Sequence, residues 1–249
     1  MTRSSRIAPL LAALAAALAS ATTEAGPNDY IRLPTVEYGE KEIDFKTGTQ
    51  RNRDGTSESA HSLGLGMGAT PWWFTELYAK AKYAPGQTES LDAWEWENRF
   101  QLTEPGEYPV LFGWLLELER PRDRSEGYEI VYGPMFQSDW GLVQGNFNVF
   151  LEQHLRAATP RSTDMRYQAQ VKYRNSEKLE WGLQAFGEVG KWNAWDPTTH
   201  QSHRLGPALF GKFRTSGSQS IRWNAAFMPG ITDGTPTRTL RAQVEYEFY

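Results

Sequence analysis

The chain has 249 residues, of which 39% are hydrophobic and 22% charged, with a formal net charge of −4 and a mean hydropathy of −0.60. Its only long apolar run, residues 7–19, falls short of the roughly 20 residues a membrane-spanning helix needs, and the acidic balance argues against nucleic acid as the main partner. There is no cysteine, which excludes disulfide scaffolds, cysteine nucleophiles and cysteine-ligated zinc.

The first segment reads as a secretory signal over residues 1–21. Arg3 and Arg6 precede an Ala/Leu-rich stretch, and Ala19-Ser20-Ala21 offers small residues for cleavage. Removing it shifts the charge from −4 to about −6. Residues 22–36 read as a short periplasmic lead, because Pro27 and Pro34 oppose regular structure. From 37 to 249 the pattern has a period of two, as strands with unlike faces require. The clearest case is the last: Leu240, Ala242, Val244, Tyr246 and Phe248 alternate with Arg241, Gln243, Glu245 and Glu247. The pattern predicts about twelve strands, at 37–47, 60–70, 74–84, 92–102, 110–120, 127–137, 142–155, 164–174, 179–189, 203–213, 220–229 and 238–249. Most run to about ten or eleven residues, the length a tilted strand needs to cross a bilayer.

The connections alternate between longer polar ones, such as 48–59 and 190–202, and tighter ones, such as 71–73 and 138–141. An up-and-down membrane barrel has long loops outside and short turns on the periplasmic side. An even strand count returns both ends of the wall to the periplasmic side. Charged residues recur in mid-strand on one face, while the other carries Trp, Leu, Phe and Val. That distribution suits an apolar face toward lipid and a polar one toward the lumen. Trp72, Trp73, Tyr108 and Trp140 lie by short turns, and Tyr83, Tyr128, Trp192 and Trp195 by long loops, where headgroup girdles sit. The fold class is therefore all-β: an up-and-down antiparallel transmembrane β-barrel behind a cleaved signal peptide.

With its signal segment, its strand pattern and its terminal stretch from Leu240 to Tyr249, the chain resembles bacterial outer-membrane β-barrels. It is also loosely similar to the MetA-pathway phenol-degradation type of transport barrels. The first resemblance implies location in the outer membrane, contact with its lipids, and a terminal strand read by the barrel-assembly machinery. In one respect the chain departs from that pattern: the apolar ladder ends on Phe248, so Tyr249 falls in the lumen phase.

The residues expected to line the lumen are Lys80, Lys82, Glu95, Glu97, Arg99, Glu117, Glu119, Arg166, Lys172, Arg222, Arg241 and Glu245. Hairpin closure brings Lys80 near Glu95 and Glu95 near Glu117. Barrel closure brings Arg241, Glu245 and Glu247 to Glu42, Asp44 and Lys46. Opposite charges facing across strands stabilise, and crowded carboxylates raise a pKa or hold a cation. A pattern so widespread reads as a salt-bridged lumen lining before it reads as an active site. His61-Ser62 and Ser202-His203 are the nearest approach to a hydrolase site, but adjacent strand residues point to opposite faces. His200 and His203 share a loop and read as solvated residues before metal ligands. Gly64, Gly66 and Gly68 are not followed by a helix and so form no phosphate loop; they leave lumen space or let the strands coil. No catalytic residue, metal or cofactor is expected, and no nucleic acid. The leading reading is a narrow channel or transporter for small solutes, against a lumen-occluded structural or binding barrel and, third, a membrane-embedded hydrolase.

Overall fold

The computed structural model describes residues 26–86 and 90–249; the signal segment at 1–21 and the start of the lead lie outside the described residues. The strands are β1 (Lys41–Arg51), β2 (Ser57–Thr70), β3 (Trp73–Tyr83), β4 (Ser90–Gln101), β5 (Leu111–Pro121), β6 (Tyr128–Trp140), β7 (Val143–Leu155), β8 (Asp164–Tyr173), β9 (Glu180–Lys191), β10 (Ala194–Trp195), β11 (Ser202–Ser216), β12 (Gln219–Pro229) and β13 (Arg238–Phe248). The two residues of β10 only fold back on the end of β9. The other twelve form the wall, each antiparallel to its neighbours. Pairing of β1 with β13, from Lys41–Phe248 to Arg51–Arg238, closes the ring. A closed sheet leaves no unpaired edge, which is the only sheet arrangement that survives in hydrocarbon.

The phase of the alternation is the membrane one. Trp94 is 50% exposed, Val171 53% and Val244 44%, whereas Glu95 is 4% exposed, Glu97 0% and Asp44 1%. A soluble barrel would show the reverse. Trp72, Tyr108 and Trp140 are exposed at the rim of short turns, and Tyr83, Tyr128, Trp192 and Trp195 at the rim of long loops. Both ends of the wall, Lys41 and Phe248, lie at the turn rim.

Eleven expected strands match within about three residues. The first begins at Lys41 rather than at 37, and runs through Gly48 to Arg51. Read locally, Gly48 is a strand breaker. In the wall it faces the lumen, and a Cβ there would lie 2.0 Å from the Pro27 carbonyl oxygen. The strand keeps its ladder, and the missing side chain makes room for another segment of the chain.

Candidate functional site

That segment is the lead. Residues 26–36, expected in the periplasm, instead pass down the inside of the barrel from the loop side to the turn rim, where Glu37 to Glu40 turn the chain into β1. Their span, at most about 36 Å when fully extended, is comparable to the roughly 30 Å of a bilayer core. The two prolines that keep the segment out of the sheet suit a strap whose polar groups are satisfied by side chains.

Those bonds come from around the wall. Near the loop side, Asn28 Nδ2 donates to Ser62 Oγ of β2 at 2.7 Å, and Arg204 Nη2 of β11 donates to the Gly26 carbonyl at 3.1 Å. The Tyr30 hydroxyl donates to Glu97 of β4, and the ring lies 3.3 Å from the Lys46 ammonium of β1. Arg32 is the centre of the arrangement. Its Nε lies 3.2 Å from Glu97 Oε2, and its Nη2 pairs with Glu117 of β5. Its backbone N–H donates to Gln168 of β8 at 3.2 Å, and its carbonyl accepts from Asn148 of β7 at 2.8 Å. At the turn rim the Val36 N–H donates to Gln101 Oε1 at 2.9 Å.

Apolar contacts complete the seat. Ile31 joins a buried cluster with Phe186, Ala208, Phe210, Ala226 and Met228, against which Leu33 packs. Besides Gly48, two glycines admit the lead closely. A Cβ on Gly68 would fall 2.0 Å from the Glu37 carbonyl oxygen, and one on Gly113 would fall 2.7 Å from Pro34 Cβ. The Gly64, Gly66, Gly68 row leaves room as its spacing suggested, and the structure fills it. A Cβ on Gly64 would meet Glu76 Oε1 at 2.3 Å, and one on Gly66 would meet the Phe74 ring at 2.6 Å.

Of the expected lumen residues, Glu95, Glu97, Glu117 and Arg241 are buried in the interior. Lys80 Nζ lies 2.8 Å from Glu95 and 2.5 Å from Glu119. Glu95 stands opposite Glu119, and Glu97 opposite Glu117; Glu95 and Glu117 are diagonal neighbours. Arg99 Nε pairs with Glu97 at 3.2 Å, Arg166 Nη1 with Glu152 at 3.1 Å and Lys172 Nζ with Glu180 at 2.9 Å. Arg222 pairs with Glu247, and Arg241 donates to Gln184 of β9. Glu245 Oε1 accepts from Gln243 at 2.6 Å. Lys82 shares this phase but is exposed at the loop rim.

Among the described residues, two groups bring three possible metal-ligand atoms within 4.8 Å: Glu95, Glu97 and Glu117, and Glu129, Glu152 and His154. In the first, Lys80 and Arg32 already supply the counter-charge, so what the group does is fasten the lead. In the second, Arg161 Nη1 lies 3.4 Å from His154 Nε2 and Arg166 pairs with Glu152.

The hydrolase candidates separate as strand geometry requires. Ser62 faces the lumen and holds Asn28, while His61 lies 2.9 Å from Thr47 Oγ1 and stacks on Phe45. His203 Nδ1 faces the Tyr167 hydroxyl at 3.0 Å, with Nε2 at 2.8 Å from Gln201 Oε1.

At the turn rim Tyr249 continues the lumen phase and its hydroxyl donates to Glu37, with Glu40 3.4 Å away. This bond pushes the Tyr249 phenol up. Burial, with Glu247 and Glu37 alongside, pushes the Glu40 carboxyl up to about 7. Burial acts in the same sense on Glu37, but the bond from Tyr249 and the nearby Arg222 guanidinium hold its carboxyl below the ordinary value.

The lead residues Asn28, Tyr30 and Arg32, and the wall residues Asn148 and Gln168, are functional positions that sequence reasoning passed over. The available signal was a lone arginine between Ile31 and Leu33 in an otherwise irregular stretch, together with more carboxylates than cations on β4 and β5.

No protein-family model matches the sequence, and no curated protein matches it. Solved structures do. The COG4313 outer membrane channel from Pseudomonas putida F1 superposes with a TM-score of 0.60 at 9% identity, covering 88% of this chain and 98% of that one. The outer membrane protein Omp33 of Acinetobacter baumannii covers 84% and 98% at 9% identity, with a TM-score of 0.42. The first likeness establishes the fold: the chain has the architecture of a bacterial outer-membrane β-barrel.

Proposed function

We propose that the protein is an outer-membrane channel for small solutes whose lumen is occupied by its own lead. The observation that carries this reading is how the interior is filled. Residues 26–36 lie within the lumen, and they are held by hydrogen bonds and ion pairs to the wall rather than by membership of the sheet. A barrel whose wall side chains closed it completely would leave no room for such a segment. The likeness to a protein described as an outer membrane channel supports the same reading.

The finer resemblance, to the MetA-pathway phenol-degradation type of transport barrels, belongs to this proposal. So do the absence of enzymatic activity, supported by the opposed faces of His61 and Ser62, and insertion by the barrel-assembly machinery into outer-membrane lipid. The docked lead also favours one second reading, a lumen-occluded structural or binding barrel. Liposome swelling separates the two. Proteoliposomes carrying the full chain are expected to admit small sugars slowly, and those carrying a chain lacking 26–36 to admit them faster. No swelling with either would overturn the channel reading and leave the occluded one.

A further inference from the structure

We infer that the cavity between the lead and strands β1, β3 and β13 is a binding site for a small organic cation of the alkylammonium class. The inference rests on the lumen being a solute path, and it names the class of solute. The cavity has a volume of about 60 Å³, and its lining carries seven carboxylates against two guanidinium groups. The protein's own cations serve only some of these acids. Lys46 pairs with Asp44 at 2.9 Å, Arg99 lies 3.7 Å from Glu42, and Arg222 pairs with Glu247. Among the described residues no Lys, Arg or His stands within ion-pair distance of Glu76 or Glu245.

Glu76 is the deciding residue. It is 2% exposed, lines the cavity, and its Oε1 is buried without a hydrogen-bond partner. It leans over the bare backbone of Gly64 and stands opposite Glu97, a second buried acid, on β4. An unpaired buried carboxylate is costly, and a bound cation removes the cost.

The geometry selects the kind of cation. Oxygens of Glu42, Glu76 and Glu245 do not converge within 4.8 Å, as those of Glu95, Glu97 and Glu117 do. A bare calcium or magnesium ion needs its oxygens within about 2.0–2.6 Å of the metal. An ammonium on a short alkyl chain places charge near Glu76 and methylenes against Ile31, Leu33 and Phe74, which line the same cavity.

The test is calorimetric titration of the full-length protein in detergent with putrescine, with butanediol as the neutral analogue and calcium as the metal arm. Saturable putrescine binding is expected, with none for butanediol. Glu76→Gln and Glu245→Gln should each weaken it roughly tenfold to hundredfold, the range for losing one hydrogen bond to a charged group. Heat-modifiable migration checks that the variants fold, and the comparison of putrescine with butanediol needs no variant. Absence of putrescine binding, equal binding of butanediol, calcium binding in preference, or indifference to both substitutions would each overturn the inference. Swelling in arabinose is scored separately. Arabinose passage without putrescine binding sinks this inference alone, whereas passage of no solute sinks the channel reading itself.

Discussion

Replacing Arg32 by alanine should free the lead while leaving the wall intact. Arg32 is 4% exposed and bridges Glu97 and Glu117, so its removal leaves two buried carboxylates short of a partner. Breaking a buried ion pair from one side costs about 3–5 kcal/mol. The lower end applies here, because Arg99 still contacts Glu97 at 3.2 Å and Arg166 lies 3.7 Å from Glu117. At about 1.4 kcal/mol per factor of ten, amide protection within 26–36 should fall by roughly two orders of magnitude. Hydrogen exchange with mass spectrometry reads this directly, since the Arg32 and Val36 amides are held by Gln168 and Gln101. The wall ladders are untouched, so heat-modifiable migration should persist. Arg32→Met combined with Glu117→Gln should restore part of the protection, because it removes one of the two stranded carboxylates and leaves Glu97 with Arg99. Unchanged exchange in Arg32→Ala would refute the claim that this ion pair fastens the lead.

Gly68→Ala should also loosen the lead, since the new Cβ would lie 2.0 Å from the Glu37 carbonyl; overpacking of this kind costs about 1–3 kcal/mol, read as faster proteolysis within 26–40 in a barrel that still migrates as folded. The raised Glu40 carboxyl predicts a rim whose stability is greatest below its unfolded value and is lost as pH rises through about 7. Glu37, held low, acts in the opposite sense and loses its contribution as pH falls. Unfolding midpoints followed from about pH 5 to about pH 8 should therefore decline less in Glu40→Gln than in the natural chain, and an identical slope would count against this assignment. Phe248 stacks on Tyr246, while Tyr249 holds Glu37. Phe248→Ala should thus lower the yield of assembled barrel more than Tyr249→Ala does, measured as heat-modifiable protein in the membrane fraction.

The wall was legible in the sequence because each strand must satisfy two solvents, and period-two alternation records that requirement residue by residue. Phase was legible too, since Glu95, Glu97 and Asp44 have no place on a lipid face. Register along a pair was less so. Sliding β4 against β5 by two residues keeps every side chain on its own face, so the facing of Glu95 with Glu119 rather than Glu117 depends on how the intervening turn closes. The strap through the lumen was not legible. Its residues follow no period, and the acceptors for Arg32 come from β4 and β5, with further bonds from β7 and β8. Gly48 misled for the same reason: it reads as a loop signal until the chain it accommodates is known to pass beside it.

Because the lead touches β1, β2, β4, β5, β7, β8 and β11, it can settle fully only after nearly the whole circumference exists. Its seating is therefore a gauge of completed assembly. A half-built or misregistered ring would offer Arg32 one acid without the other, and would leave the strap exposed to proteases that survey unfinished proteins.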